Sequence, residues 1–175
     1  MDRDASILLT GFMGTGKSAV GRRVAARLGR PFVDMDAEIE KRAGRTIAAI
    51  FAEDGEPAFR ALERALAREL ASRSGLVVAA GGGAVLDPRN VADFMRAGLL
   101  VCLDARPEVI LARLAGERHR PLLETADREQ RLRELLARRA ACYAALPVHV
   151  DTSDLTPDAV ADAVLTRFEE AVRGT

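Results

Sequence analysis

Gly11-Phe12-Met13-Gly14-Thr15-Gly16-Lys17-Ser18 is the stretch that decides the fold. It fits the pattern G-x-x-x-x-G-K-[ST], it follows the apolar run Ile7 to Thr10, and a helical pattern opens at Lys17. Glycine lets the backbone take positive φ and come close to a phosphate, so that successive N–H groups can point at the anion. The amino terminus of the following helix adds its partial positive charge. In such a loop Lys17 reaches the β- and γ-phosphates as a point charge and the Ser18 hydroxyl is placed to ligate Mg²⁺. The stretch predicts a nucleotide site.

Working outward, short strand-like runs recur at Ile7 to Thr10, Pro31 to Asp34, Leu76 to Ala80, Leu99 to Leu103 and Val148 to Val150. Helical patterns begin near Lys17, Asp36, Thr46, Glu56, Pro88, Pro107, Asp127 and Pro157. Alternation of this kind predicts an α/β fold with a parallel sheet covered by helices, because each parallel neighbour needs a crossover. Ligands in such sheets bind outside the carboxyl ends of the strands. Chemistry is therefore expected just after Thr10, Asp34, Ala80, Leu103 and Val150.

The 175 residues, 49% hydrophobic and 30% charged, predict one soluble globular domain over 1–175, with no repeat and no long linker. Equal numbers of acidic and basic residues, 26 of each, leave no overall positive field for nucleic acid or an anionic membrane. No apolar run approaches a bilayer span, and no signal-peptide core follows Met1 to Ser6, so a cytoplasmic protein is expected. Lysine occurs only at Lys17 and Lys41; every other basic residue is arginine. Cys102 and Cys142 fall in no Cys-x-x-Cys or Cys/His grouping and read as small core residues. His119 and His149 read as ordinary surface and strand residues.

The second run ends Phe32-Val33-Asp34-Met35-Asp36, and period-two alternation sends both carboxylates to one side of the sheet's carboxyl edge. A cation beside Asp34 and a hydroxylic ligand on Asp36 would relieve their repulsion. Equally, Asp34 reads as a strand-end polar residue and Asp36 as the amino-terminal cap of a helix from Ala37 to Arg42. The third run carries no terminal acid and flows into Gly81-Gly82-Gly83, either a bare wall against a ligand or a flexible connection. Asp34 is then the better candidate for the metal-side carboxylate.

Between Asp127 and Leu146, the residues Leu132, Leu135, Leu136, Tyr143 and Leu146 form one helical stripe with Arg139 in its middle. A guanidinium there demands an anion, either an internal carboxylate or an acidic ligand. The segment Leu114-Ala115-Gly116-Glu117-Arg118-His119-Arg120-Pro121 is basic and broken by Gly and Pro; it reads as a closing loop or as a solvated connection. Periodicity marks Arg60 only as a solvated charge on its helix.

Taken together, the Gly11 to Ser18 loop, Phe32-Val33-Asp34-Met35-Asp36, Phe59-Arg60, Gly81-Gly82-Gly83-Ala84-Val85, Arg120-Pro121-Leu122-Leu123 and Arg138-Arg139-Ala140-x-x-Tyr143 resemble shikimate kinase, from about Ile7 to Leu165. The resemblance implies an adenylate-kinase-like P-loop kinase fold with a five-stranded parallel sheet flanked by helices. It implies a substrate-binding region about 34–63 and a mobile lid about 115–125. It implies a monomeric enzyme that phosphorylates the 3-hydroxyl of shikimate with ATP and Mg²⁺, in aromatic amino acid biosynthesis. The roles it carries over are Gly14, Thr15, Gly16, Lys17, Ser18 and Ala19 around the ATP phosphates, with Arg120 as the lid arginine on ATP. Ser18 and Asp34 fall on the Mg²⁺ side, and Asp36, Arg60, Gly82 and Arg139 at shikimate. Lys17, Asp36 and Arg120 become the catalytic candidates. The loop Thr152-Ser153-Asp154-Leu155 has no arginine, where relatives often place one near the adenine.

Two rivals share parts of this pattern. A kinase of another small polyol such as gluconate shares the loop and the fold; a nucleotide-dependent switch shares the loop alone.

Overall fold

The computed structural model describes residues 1–115 and 128–174. Its centre is β1 (Ser6–Thr10), buried along its whole length. Around it the sheet runs in the order β2-β3-β1-β4-β5, with β2 at Phe32–Asp34, β3 at Val77–Ala79, β4 at Gly98–Asp104 and β5 at His149–Asp151. All four pairings are parallel, as the alternation of strand and helix predicts.

Alternation along the strands divides the core in two. Ile7, Leu9, Val77, Val101 and Leu103 face one side, where they pack with Val20, Val24, Val160 and Val164 of α1 (Lys17–Leu28) and α7 (Pro157–Arg173). Leu8, Val78, Leu100 and Cys102 face the other side. They meet α2 (Met35–Ala43), α3 (Ile47–Ala71), α4 (Pro88–Ala97), α5 (Pro107–Ala115) and α6 (Arg128–Ala144) through Met35, Leu66, Phe94, Ile110 and Leu132. With both faces covered, the central strands read as unbroken apolar runs. Among the described residues no helix is long and apolar enough to cross a membrane.

The sequence boundaries hold closely, with one refinement. The two helices expected from Thr46 and Glu56 are the halves of α3, which breaks at Gly55, where φ is 82° and ψ 168°. Thr46 caps the first half through the amide of Ala49, and Pro57 stands in the first turn after the break, where its missing N–H costs no helical bond.

Candidate functional site

β1 ends against the loop that holds the phosphate pattern. Gly11, with φ 134°, is pressed so close to β4 that a methyl group there would lie 2.2 Å from the Leu103 carbonyl oxygen. Gly16 caps α1 with no side chain, so the first helical turn faces the loop directly. Inside the loop, Thr15 Oγ1 donates to the Phe12 carbonyl at 2.8 Å. Lys17 Nζ donates to the carbonyls of Gly11 and Phe12, each at 2.9 Å. The ammonium therefore sits within the turn, beside the exposed N-terminal end of α1. Ala19 completes that first turn, its carbonyl taking a 3.0 Å bond from Arg23.

Ser18 Oγ donates to Asp34 Oδ2 at 2.5 Å, which joins the first turn of α1 to the end of β2. The other Asp34 oxygen accepts from the amide of Ala37 at 3.4 Å and caps α2. This corrects the sequence reading: the cap is Asp34, helix begins already at Met35, and period-two alternation does not extend to Asp36. As the second residue of α2, Asp36 meets the segment after β3 instead, where a methyl on Gly81 would lie 2.7 Å from Asp36 Oδ1 and 2.8 Å from Glu63 Oε1.

Glu63 is the residue that sequence reasoning missed on this wall. Its side chain is 3% exposed, and Arg60 Nη1 donates to its Oε2 at 2.7 Å. Its Oε1 has no hydrogen-bond partner among the described residues. Burial pushes the Glu63 carboxyl above the usual carboxylate range, against the opposing pull of the Arg60 charge. Arg60 is not the solvated charge that periodicity indicates. Glu56 also accepts from it, at 3.1 Å, and its guanidinium lies so near Gly83 that a methyl there would be 2.5 Å away.

Arg139 projects from α6 to the same glycines. Its Nη1 donates to the Gly82 carbonyl at 3.3 Å, the Tyr143 hydroxyl donates to that same oxygen, and the guanidinium stands 5.9 Å from the centre of the Phe12 ring. Among the described residues Arg139 forms no ion pair, which leaves the acidic-ligand alternative standing. A methyl on Gly82 would lie 3.6 Å from the Gly11 carbonyl, 3.7 Å from the Met13 nitrogen and 3.8 Å from Arg139 Nη1. The loop around Lys17 and the cluster of Asp36, Glu63, Arg60 and Arg139 thus share the bare main chain of Gly81 to Gly83 as a common wall.

On the opposite flank, Arg113 donates to Thr152 Oγ1 at 2.9 Å and to the Gly14 carbonyl at 3.3 Å. It braces the phosphate loop against the segment after β5, a role with no sequence signal because its partners are far away in the chain. Within that segment Asp154 pairs with Arg106 at 2.7 Å. Arg120 and the expected lid beyond Ala115 lie outside the described residues.

A parallel sheet in this order and a glycine-rich phosphate loop beside a wall of arginines and carboxylates define a P-loop phosphotransferase. The shikimate kinase family model matches residues 13–169. A shikimate kinase from Pelotomaculum thermopropionicum is 45% identical over 94% of this chain and 96% of its own length. One from Desulforudis audaxviator is 52% identical over 84% of this chain and 77% of its own. The solved shikimate kinase of Acinetobacter baumannii, in complex with shikimate, superposes with a TM-score of 0.90 at 37% identity, covering 97% of this chain and 95% of that one. This chain belongs to the shikimate kinase family.

Proposed function

We propose that the cleft at the carboxyl edge of the sheet transfers the γ-phosphoryl group of ATP to the 3-hydroxyl of shikimate, with the loop from Gly14 to Ala19 on the phosphates and the wall of Asp36, Arg60, Gly82 and Arg139 on the acceptor. The observation that carries this reading is the common glycine wall, which brings two guanidinium groups and two carboxylates against the phosphate loop.

Each role follows from the chemistry of the side chain. Loop amides and Lys17 hold the donor and meet the negative charge that spreads over the moving phosphoryl oxygens. Arg60 and Arg139 form charge-assisted hydrogen bonds with the ring carboxylate, which a neutral sugar cannot supply. Asp36 accepts from ring hydroxyls and is the group placed to take the proton of the attacking one. Glu63 keeps the Arg60 fork aimed. Arg120 joins the donor side by resemblance alone.

Mg²⁺ fits the donor set: the hydroxyl of Ser18 and the carboxylate of Asp34 are hard oxygens already 2.5 Å apart. Bound there with the triphosphate, it would supply charge neutralisation of the phosphate oxygens. A single-domain, monomeric, cytoplasmic enzyme completes the reading, with the length of 175 residues supporting the single domain.

Coupled measurement of ADP release tests the assignment. Turnover is expected with shikimate and not with gluconate or a nucleoside monophosphate. Folded protein that binds ATP but releases no ADP in the presence of shikimate would reject it in favour of a nucleotide switch.

A further inference from the structure

Parallel pairing of β4 with β5 sets Cys102 opposite His149. Alternation along β4 then puts Asp104 on the same face as Cys102, and His149 stands beside both. Cys102 Sγ lies 3.4 Å from Asp104 Oδ1, and His149 Nδ1 lies 2.6 Å from Asp104 Oδ2. One ligand atom from each of the three residues falls within 4.8 Å of the others. Sequence spacing hides this group, because the register of two strands far apart in the chain creates it.

His149 Nε2 lies 2.9 Å from the Leu146 carbonyl oxygen. A neutral imidazole that donates there turns the lone pair of Nδ1 toward the Asp104 carboxylate, acceptor against acceptor at 2.6 Å. A proton on Nδ1 fills that gap as an ordinary N–H···O bond, and a metal cation would take the place of that proton. A backbone carbonyl on the far ring nitrogen is also the partner that orients a metal-bound histidine.

We infer that Cys102, Asp104 and His149 form a three-ligand site for a borderline divalent cation of the Zn²⁺ class, distinct from the Ser18–Asp34 pair. Sulfur, imidazole nitrogen and a single carboxylate oxygen select Zn²⁺ or Co²⁺ over Mg²⁺, which takes oxygen ligands. A groove of about 620 Å³, bordered by Asp104, His149, Arg133, Leu136 and Tyr143, reaches the Asp104 and His149 ligands and would give the ion an entry and a water for its fourth position. Cys102 is fully buried, and burial, then Asp104, hold its thiol protonated. Cation binding therefore displaces the thiol proton to the solvent, and one proton is released per thiolate–metal bond formed.

Titration of the untagged, chelator-treated full chain with Co²⁺ tests the site. One equivalent is expected to bind with a near-ultraviolet thiolate-to-cobalt charge-transfer band and tetrahedral visible absorption, and Zn²⁺ is expected to bleach both. Cys102→Ser should abolish the charge-transfer band, His149→Gln should weaken binding at least tenfold, and Cys142→Ser should change neither. If Cys102→Ser fails to fold, Asp104→Asn takes its place, with the same tenfold weakening expected. Absence of the band in the native chain, its survival in Cys102→Ser, or its loss in Cys142→Ser would overturn the inference. Kinase turnover enters none of these readouts, so the result stands apart from the acceptor assignment.

Discussion

Arg60 and Glu63 form an ion pair at 2.7 Å in which the carboxylate, 3% exposed, is far more deeply buried than the guanidinium, 28% exposed. The arginine is thus presented to the cleft on an anchored arm. Because burial raises the native pKa of Glu63 above its unfolded value, the native state holds this proton more tightly than the unfolded chain does. Its contribution is fully present below the unfolded value of about 4.3 and is lost as pH rises through the raised native one. Relative to Glu63→Gln, which does not titrate, wild type should therefore lose stability between pH 4 and neutrality. Urea unfolding of both proteins across that range checks this; a difference that grows in favour of wild type with rising pH would contradict it.

In the proposed reading Lys17 holds the donor phosphates, and its ammonium is bonded to the carbonyls of Gly11 and Phe12. Lys17→Ala should lower kcat roughly 10²- to 10³-fold, the scale of one lost preorganised donor. Its shikimate KM should change far less. Equal kcat in the two proteins would rule out the transition-state role.

Arg139 forms no ion pair among the described residues; it bonds to the Gly82 carbonyl at 3.3 Å, stands over the Phe12 ring and acts electrostatically on Glu63 and Tyr143. Arg139→Ala should therefore lower the melting temperature only by a few degrees. Loss of a charged hydrogen bond, about 1.5–3 kcal/mol, should raise the shikimate KM some ten- to a hundredfold. An unaltered KM in folded protein would remove Arg139 from the acceptor wall.

Two glycine substitutions should separate function from folding. At Gly81 the atoms nearest a new methyl are the carboxylate ends of Asp36 and Glu63, at 2.7 and 2.8 Å, side chains that must shift to admit it. Gly81→Ala should fold with most activity gone. At Gly11 it meets the main-chain oxygen of Leu103 at 2.2 Å, and φ is 134°. Gly11→Ala should lose about 3 kcal/mol or more of stability. Similar denaturation midpoints for the two variants would be contrary evidence.

The frame was legible because local signals agree: unbroken apolar runs for strands covered on both faces, and Gly16-Lys17-Ser18 at the start of a helix. Asp34 was legible as a site residue, but not its double use, since the helix starts two residues earlier than alternation suggests. Arg60 was illegible to periodicity: its partner Glu63 lies on its own helix, but the glycine wall that gives the pair meaning arrives from β3. Arg139 was legible as a cation in need of an anion, not as to which. Arg113 with Thr152, and Cys102 with Asp104 and His149, depend on strand register and long-range packing, which no local pattern encodes.

The triple glycine after β3 is best understood as volume held open for three different neighbours: carboxylates at Gly81, the Arg139 side at Gly82, and the Arg60 fork at Gly83. At Gly81 and Gly83 a newcomer of any polarity would have to displace these side-chain ends, whereas at Gly82 a methyl would make only ordinary contacts. Attempts to broaden the range of acceptors must therefore keep Gly81 and Gly83 as hydrogen-only backbone and reshape the cleft from its helical side.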